Sequence, residues 1–248
     1  MTLSIIDLEL TNACNQRCGF CLRPAMGRPV CTMDTELFKR LVREISDLDL
    51  PSWGKVVFAG YGEPTLHPRF VELVDYAAGF QLPIRIHTNG TRWTPQIGRA
   101  LVQPGIAAVH VSINVHGPEQ LERAIGQAVS WEELVRNVSN LIALRTLAGR
   151  ESPQLILQLI DSSGLSTEVL DYETPMLNSS QEALTAIHFW QDVAENVSLQ
   201  TGIPAMRHSV SLADFEKPGP RSLRKNAWRG FCVELFEGVE LRLCPHLP

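Results

Sequence analysis

Cys14, Cys18 and Cys21 fall within eight consecutive positions, "CNQRCGFC", of a 248-residue chain that has six cysteines in all. Their spacing admits a structural zinc site, a disulfide with a spare thiol, or a reactive cluster. Structural zinc takes four ligands, usually as two pairs separated by a longer insert. Here the next cysteine, Cys31, lies ten residues on, with Pro29 between. A cube-shaped [4Fe–4S] cluster makes a different demand, because thiolates on a short loop can hold three of its irons. The fourth iron then keeps an open position for a small molecule. The missing fourth cysteine is therefore the informative feature.

The compartment bears on the disulfide alternative. The opening residues, "MTLSIIDLELTN", lack a basic n-region, a long apolar core and a cleavage site. No apolar run reaches the roughly 18 residues of a membrane span. A cytoplasmic location is expected, where a tight group of cysteines points to metal binding or catalysis. A net charge of −5 with no basic run carries no nucleic-acid footprint. Neither a nucleic-acid nor a membrane partner is expected. With 44% hydrophobic and 20% charged residues, the chain reads as one large globular domain, alone or with a small appendage.

The elements that must position the cysteines alternate strand with helix. Apolar, β-branched runs at Ile5–Leu10, Lys55–Ala59, Ile84–Thr88, Ala108–Ile113 and Leu155–Ile160 predict strands, with a weaker sixth at Met206–Val210. Helical stretches lie between them: "TELFKRLVREISDL", "PRFVELVDYAAG", "TPQIGRALVQ", "WEELVRNVSNLIALRTLAG" and "SQEALTAIHFWQDVAENV". In the first, Leu37, Leu41, Ile45 and Leu48 mark an apolar stripe, and Asp34 or Thr35 offers a cap. Repeated βα units predict an α/β fold, a partial (β/α)6 TIM-like barrel with its site at the C-terminal strand ends. The unusual residues follow those ends: "TNACNQRC", then "GYGEP", then "TNGT", then Ser112 and Asn114.

Cys14, Cys18 and Cys21, with aromatic Phe20 before the last, resemble the signature of the radical S-adenosylmethionine (radical SAM) enzymes. The resemblance implies that these cysteines hold a [4Fe–4S] cluster whose open iron is chelated by S-adenosylmethionine. Reductive cleavage then gives methionine and a 5′-deoxyadenosyl radical that abstracts hydrogen from substrate. "GYGEP" (Gly60 to Pro64) resembles the family's second motif, implying that Glu63 holds the methionine amino group. Tyr61 separates the glycines, so Gly62 and Glu63 carry the match more firmly than Gly60. "VSINVHGPEQLERAIG" resembles the fourth-strand segment, implying cofactor contacts from Ser112, Asn114 and Arg123. Asn114 stands where an aspartate is usual, which keeps hydrogen bonding and removes a charge. Gln158, mid-strand in "LILQLI", must face the barrel interior or find a partner, and it is a candidate cofactor contact. His87, within an alternating strand, reads as a packed histidine rather than a catalytic one.

Near the C-terminus, Cys232 and Cys244 frame a predicted hairpin around Glu237-Gly238, after a Pro-, Gly- and Arg-rich linker. The pair resembles the start of the SPASM or twitch extension of some radical SAM enzymes. Two domains are expected: a barrel core at 1–215 and a short, incomplete extension at 216–248. An auxiliary cluster would need Cys31, His246 or an outside ligand beside Cys232 and Cys244. The stronger expectation is no second cluster, with Cys232 and Cys244 either two buried thiols or the remnant of a degenerate site.

The resemblance implies a peptide or amino-acid side chain as substrate, in peptide maturation or natural-product biosynthesis. A small sugar, nucleoside or cofactor precursor is the alternative, and a non-enzymatic metal-binding module a remote third. It also implies an electron donor such as flavodoxin or ferredoxin. The first strand begins almost at residue 1, so a peptide substrate is expected to need direct binding or a separate recognition protein.

Overall fold

A computed structural model describes residues 5–16, 18, 21, 23–48, 50–51, 54–113, 115, 117–119, 121, 130–161, 186, 188–190, 192–194 and 197–201. Phe20, Asn114, Arg123, Cys232, Cys244, His246, the Met206–Val210 stretch and the proposed 216–248 extension lie outside the described residues.

Six strands form one parallel sheet in chain order: β1 Ile5–Leu8, β2 Lys55–Phe58, β3 Ile84–Thr88, β4 Ile106–Ser112, β5 Gln154–Asp161 and β6 Val197–Thr201. Crossovers between parallel strands are right-handed, so stepping always in one direction sends every crossover to the same side of the sheet. The result is the open, barrel-like winding that the βα repetition predicts, with one helix-covered face and one concave face. Helices α1 Thr35–Ser46, α2 Phe70–Ala78, α3 Pro95–Leu101 and α4 Trp131–Leu147 supply the cover.

The strand at Val197–Thr201 was not among those expected from the sequence. Val197–Thr201 pairs with β5 from Leu157↔Val197 to Asp161↔Thr201. Its sequence, "VSLQT", alternates apolar and polar residues, the pattern of a strand with two unlike faces. The helical reading of the preceding segment therefore ran one residue into a strand.

In α1 the cap is Asp34, whose carboxylate accepts the N–H groups of Glu36 and Leu37 at 3.0 Å each. The buried stripe is Phe38, Val42 and Ile45, while Leu37 and Leu41 are only partly buried and Leu48 is exposed. Phe38 decides the face, packing edge-on against Phe58 of β2 with ring centroids 5.6 Å apart. Helix α4 begins with a full capping box between Ser130 and Glu133.

Alternation along the strands separates the two faces. Leu8, Phe58, Ile86 and Val111 are almost fully buried against the helices, with Phe38, Leu73, Leu101 and Val138 opposite them. Of the other positions, Asp7, Arg85, His87, His110, Ser112 and Gln158 are half-buried on the concave side. Among the described residues no helix is long and apolar enough to cross a membrane.

Candidate active site

The cysteine loop follows β1 and is closed at its base by its own residues. Thr11 and Thr32 form an antiparallel bridge, and the N–H of Met33 donates to the carbonyl of Leu10 at 2.8 Å. Asn12 clamps the same place. Its Nδ2 donates to the Pro29 carbonyl at 2.8 Å, and its Oδ1 accepts the Cys31 N–H at 2.7 Å. The Thr11 hydroxyl donates to the Cys31 carbonyl at 2.9 Å. Cys31 thus serves the loop through its backbone.

Inside the loop, the Cys21 N–H donates to the Cys18 carbonyl at 2.9 Å, and the Gln16 N–H donates to the Cys14 sulfur at 3.4 Å. Cys14, Cys18 and Cys21 lie close enough for each thiolate's charge to disfavour another's. Burial pushes all three thiols up, Cys18 to about 12, while Arg23 pulls the other way. Binding a metal centre would therefore release their protons. No three His, Cys, Asp or Glu side chains among the described residues surround a single-ion position. Three soft thiolates without a fourth fit a cluster that takes one thiolate per iron.

The "GYGEP" loop is locked onto the cysteine loop. The Glu63 N–H donates to the Ala13 carbonyl at 2.7 Å. At Gly62 a Cβ would stand 1.9 Å from the Thr11 carbonyl oxygen, so only glycine permits the approach. Gly60 has φ +153°, and a Cβ there would strike the Glu9 carboxylate.

Glu63 is buried at 2% exposure, and its carboxylate is held by four donors. Oε1 accepts the Thr65 N–H, the Thr65 hydroxyl and the Thr88 hydroxyl, at 3.1, 2.6 and 2.7 Å. Oε2 accepts the Asn89 N–H at 2.6 Å and keeps a lone pair in reserve. Burial raises its pKa, and the hydrogen bonds from Thr65, Asn89 and Thr88 oppose that rise. No cation among the described residues pairs with it. A buried carboxylate with this many donors and no counter-ion among the described residues can accept a cation from outside.

The loop after β3 completes the frame. Asn89 Nδ2 donates to Asn15 Oδ1, and Asn15 Nδ2 donates to the Thr91 hydroxyl, both at 2.8 Å. The Thr91 hydroxyl returns to Asn89 Oδ1 at 2.7 Å. This three-residue ring joins "TNGT" to the cysteine loop. Ser112 and Gln158 sit side by side in register at the ends of β4 and β5, half-buried on the concave face. Asn114, Arg123 and Phe20 lie outside the described residues.

Several residues beside the site went unremarked in the sequence reading. Glu9 accepts the Tyr61 N–H at 2.7 Å and pairs with both terminal nitrogens of Arg28, at 3.0 and 3.3 Å. It thereby ties the "GYGEP" loop to the far part of the cysteine loop. The signal was "IIDLEL", where Asp7 and Glu9 alternate with apolar residues. His67 accepts the Arg69 N–H on Nδ1 and meets the Met33 carbonyl with Nε2, both at 3.0 Å. His87 packs as expected, although on the concave side and against His110 rather than in the helix-covered core.

The fold and these three loops define a radical SAM core. The Radical SAM superfamily model matches residues 8–146, and the chain belongs to that family, whose enzymes use a [4Fe–4S] cluster and S-adenosylmethionine. Among curated relatives, the tungsten-containing aldehyde ferredoxin oxidoreductase cofactor-modifying protein of Pyrococcus furiosus is 25% identical over 182 residues. That alignment covers 73% of this chain and 50% of the relative. Mycofactocin maturase MftC of Mycobacterium tuberculosis is 29% identical over 182 residues, covering 65% of this chain and 46% of MftC. The chain spans about half the length of these relatives. Among solved structures, Streptococcus suis SuiB bound to precursor peptide SuiA shares the fold. Its TM-score is 0.61 at 14% identity, over 90% of this chain and 45% of SuiB.

Proposed function

We propose that this protein cleaves S-adenosylmethionine reductively and uses the 5′-deoxyadenosyl radical to abstract hydrogen from a peptide or amino-acid side chain. Cys14, Cys18 and Cys21 would hold the [4Fe–4S] cluster, which when bound supplies the electron and an iron open to the methionine end of the cofactor. The observation that carries the reading is Glu63: a buried, four-donor carboxylate beside the three thiols, with no cation paired to it among the described residues. Its role is to fix the methionine ammonium through Oε2. Gly62 lets the loop come close enough, and Ser112, Gln158, Asn114 and Arg123 are the further contacts proposed for the cofactor, with Phe20 beside the cluster.

The peptide reading draws support from the likeness to MftC, named a maturase. A second reading, a cofactor precursor as substrate, is favoured by the Pyrococcus relative, named for modifying a cofactor. The electron donor would be a small reductant protein such as flavodoxin or ferredoxin, and a peptide substrate would bind directly or through a separate recognition protein. The proposed division at residue 215 puts Cys232 and Cys244 in an extension without a second cluster. Anaerobic reconstitution with iron and sulfide, followed by dithionite and S-adenosylmethionine, tests the proposal. About four irons per chain and formation of 5′-deoxyadenosine are expected, rising with the right substrate. Absence of cleavage at full iron loading would overturn it.

A further inference from the structure

The concave face carries a second group of polar side chains that neither the thiols nor Glu63 engages. Asp7 on β1, Lys55 at the start of β2, Arg85 and His87 on β3 and His110 on β4 all occupy positions turned away from the helix-covered core. Register stacks them in layers. Asp7 and Arg85 both pair with Val57, so they flank it in one layer. His87 lies opposite His110 in the next layer, their rings stacked at 4.4 Å and 8°.

The charges in this group do not balance. Neither Lys55 nor Arg85 has an ion-pair partner among the described residues. The nearby carboxylate Glu9 is already committed to Arg28. Burial raises Asp7 to about 6 against the pull of Lys55, so at neutral pH it is ionised and offsets one of the two positive charges. Burial first, and then the charges of Arg85 and Lys55, keep the imidazoles of His87 and His110 neutral. His110 Nε2 is buried and has no hydrogen-bond partner among the described residues. An unpartnered ring nitrogen on the same concave face as a net positive charge leaves a place for an acceptor that carries negative charge.

We propose that Lys55, Arg85 and His110 form an oxyanion subsite on the concave face, binding a carboxylate or phosphate of the substrate. The two cations supply charge, and His110, as its Nε2–H tautomer, donates to the anion. As a subsite for substrate this rests on the radical SAM reading above; as an anion site it stands alone. An acid-bearing substrate would then be oriented from below while its hydrogen faces the cofactor end of the barrel.

The probes are glutarate and inorganic phosphate, titrated into this 248-residue chain with 15N-labelled histidine. Imidazole shifts and the thermal midpoint are followed together. We expect one anion to give a saturable response at His110, weakened about tenfold or more in Arg85→Gln and in Lys55→Gln. Exposed Arg69→Gln should respond like the wild type. A response to glutarate identifies a carboxylate substrate, and a response to phosphate a phosphorylated one. No saturable response to either anion in the wild type overturns the proposal, whatever the variants do. So does an unchanged response in folded Arg85→Gln and Lys55→Gln. Cleavage of S-adenosylmethionine is not read here. Anion binding without cleavage in the earlier test would sink the radical reading and leave this site standing.

Discussion

The N–H of Glu63 donates to the carbonyl of Ala13 at 2.7 Å, which joins the loop of the buried carboxylate to the loop of the three thiols. The two loops come from different strands, and Gly62 lies against the Thr11–Asn12 backbone right beside that bond. A change in either loop therefore reaches the other.

Gly62→Ala tests the contact most directly. A methyl there meets main-chain atoms, which cannot rotate aside. Expected are a stability loss of about 1–3 kcal/mol and reduced iron loading. Thermal denaturation and iron assay after reconstitution measure both.

Glu63→Gln keeps the shape and removes the charge. Affinity for S-adenosylmethionine should fall about tenfold or more, at unchanged iron content. Equilibrium binding to the reconstituted protein reads the first and iron assay the second. Equal affinity in the two proteins would mean that the carboxylate meets no cation.

The cysteines should divide into two kinds. Ala at position 14, 18 or 21 should abolish cleavage of S-adenosylmethionine. Cys31→Ala should keep both iron and cleavage, because the N–H and carbonyl that Cys31 gives to Asn12 and Thr11 survive the substitution. Loss of iron in Cys31→Ala would make its thiol a ligand.

The stacked histidines set a pH dependence. Burial, with the charges of Arg85 and Lys55, pulls His87 down to about 3 and His110 to about 4. Unfolding restores a value near 6.5, so the unfolded chain binds more protons below that pH. Stability from this pair is present above about 6.5 and is lost as pH falls toward 4. Asp7, raised by burial from 3.8 to about 6, acts oppositely: its contribution is lost as pH rises through that interval. Comparing variants isolates the histidines, because Asp7 is common to both proteins. Between pH 6.5 and 4 the thermal midpoint of the wild type should fall more than that of His87→Gln/His110→Gln. Parallel curves would contradict the assignment.

Much of this was legible beforehand because it is written in local pattern. Five strands and their helices follow from β-branched runs and 3.6-residue periodicity. The thiols and Glu63 stand out because cysteine spacing and a Gly-Gly-Pro frame are short-range signals. The choice of face in α1 was not local: Phe38 prevails over Leu37 because Phe58, twenty residues on, is there to receive it. The ring of Asn15, Asn89 and Thr91 joins residues more than seventy positions apart, and common polar residues announce no such partnership. The concave face was half visible, since Arg85 and His87 alternate in "IRIHT", but only register shows His87 opposite His110. The strand at Val197–Thr201 was not read in advance because "VSLQT" is a short, weak β-pattern, and only its pairing with β5 marks it.

The Asn12 clamp has a consequence for the order of events. It brings together the two ends of the roughly twenty-residue segment that carries the thiols. Closing a loop of that size is an entropic charge that scales with the logarithm of its length, and here the protein's own hydrogen bonds meet it. Once a first sulfur captures iron, the others remain tethered nearby at an effective concentration on the order of millimolar. Assembly of the inorganic centre then becomes a local event on a chain already folded, unlike a finger peptide that has no shape until its ion arrives.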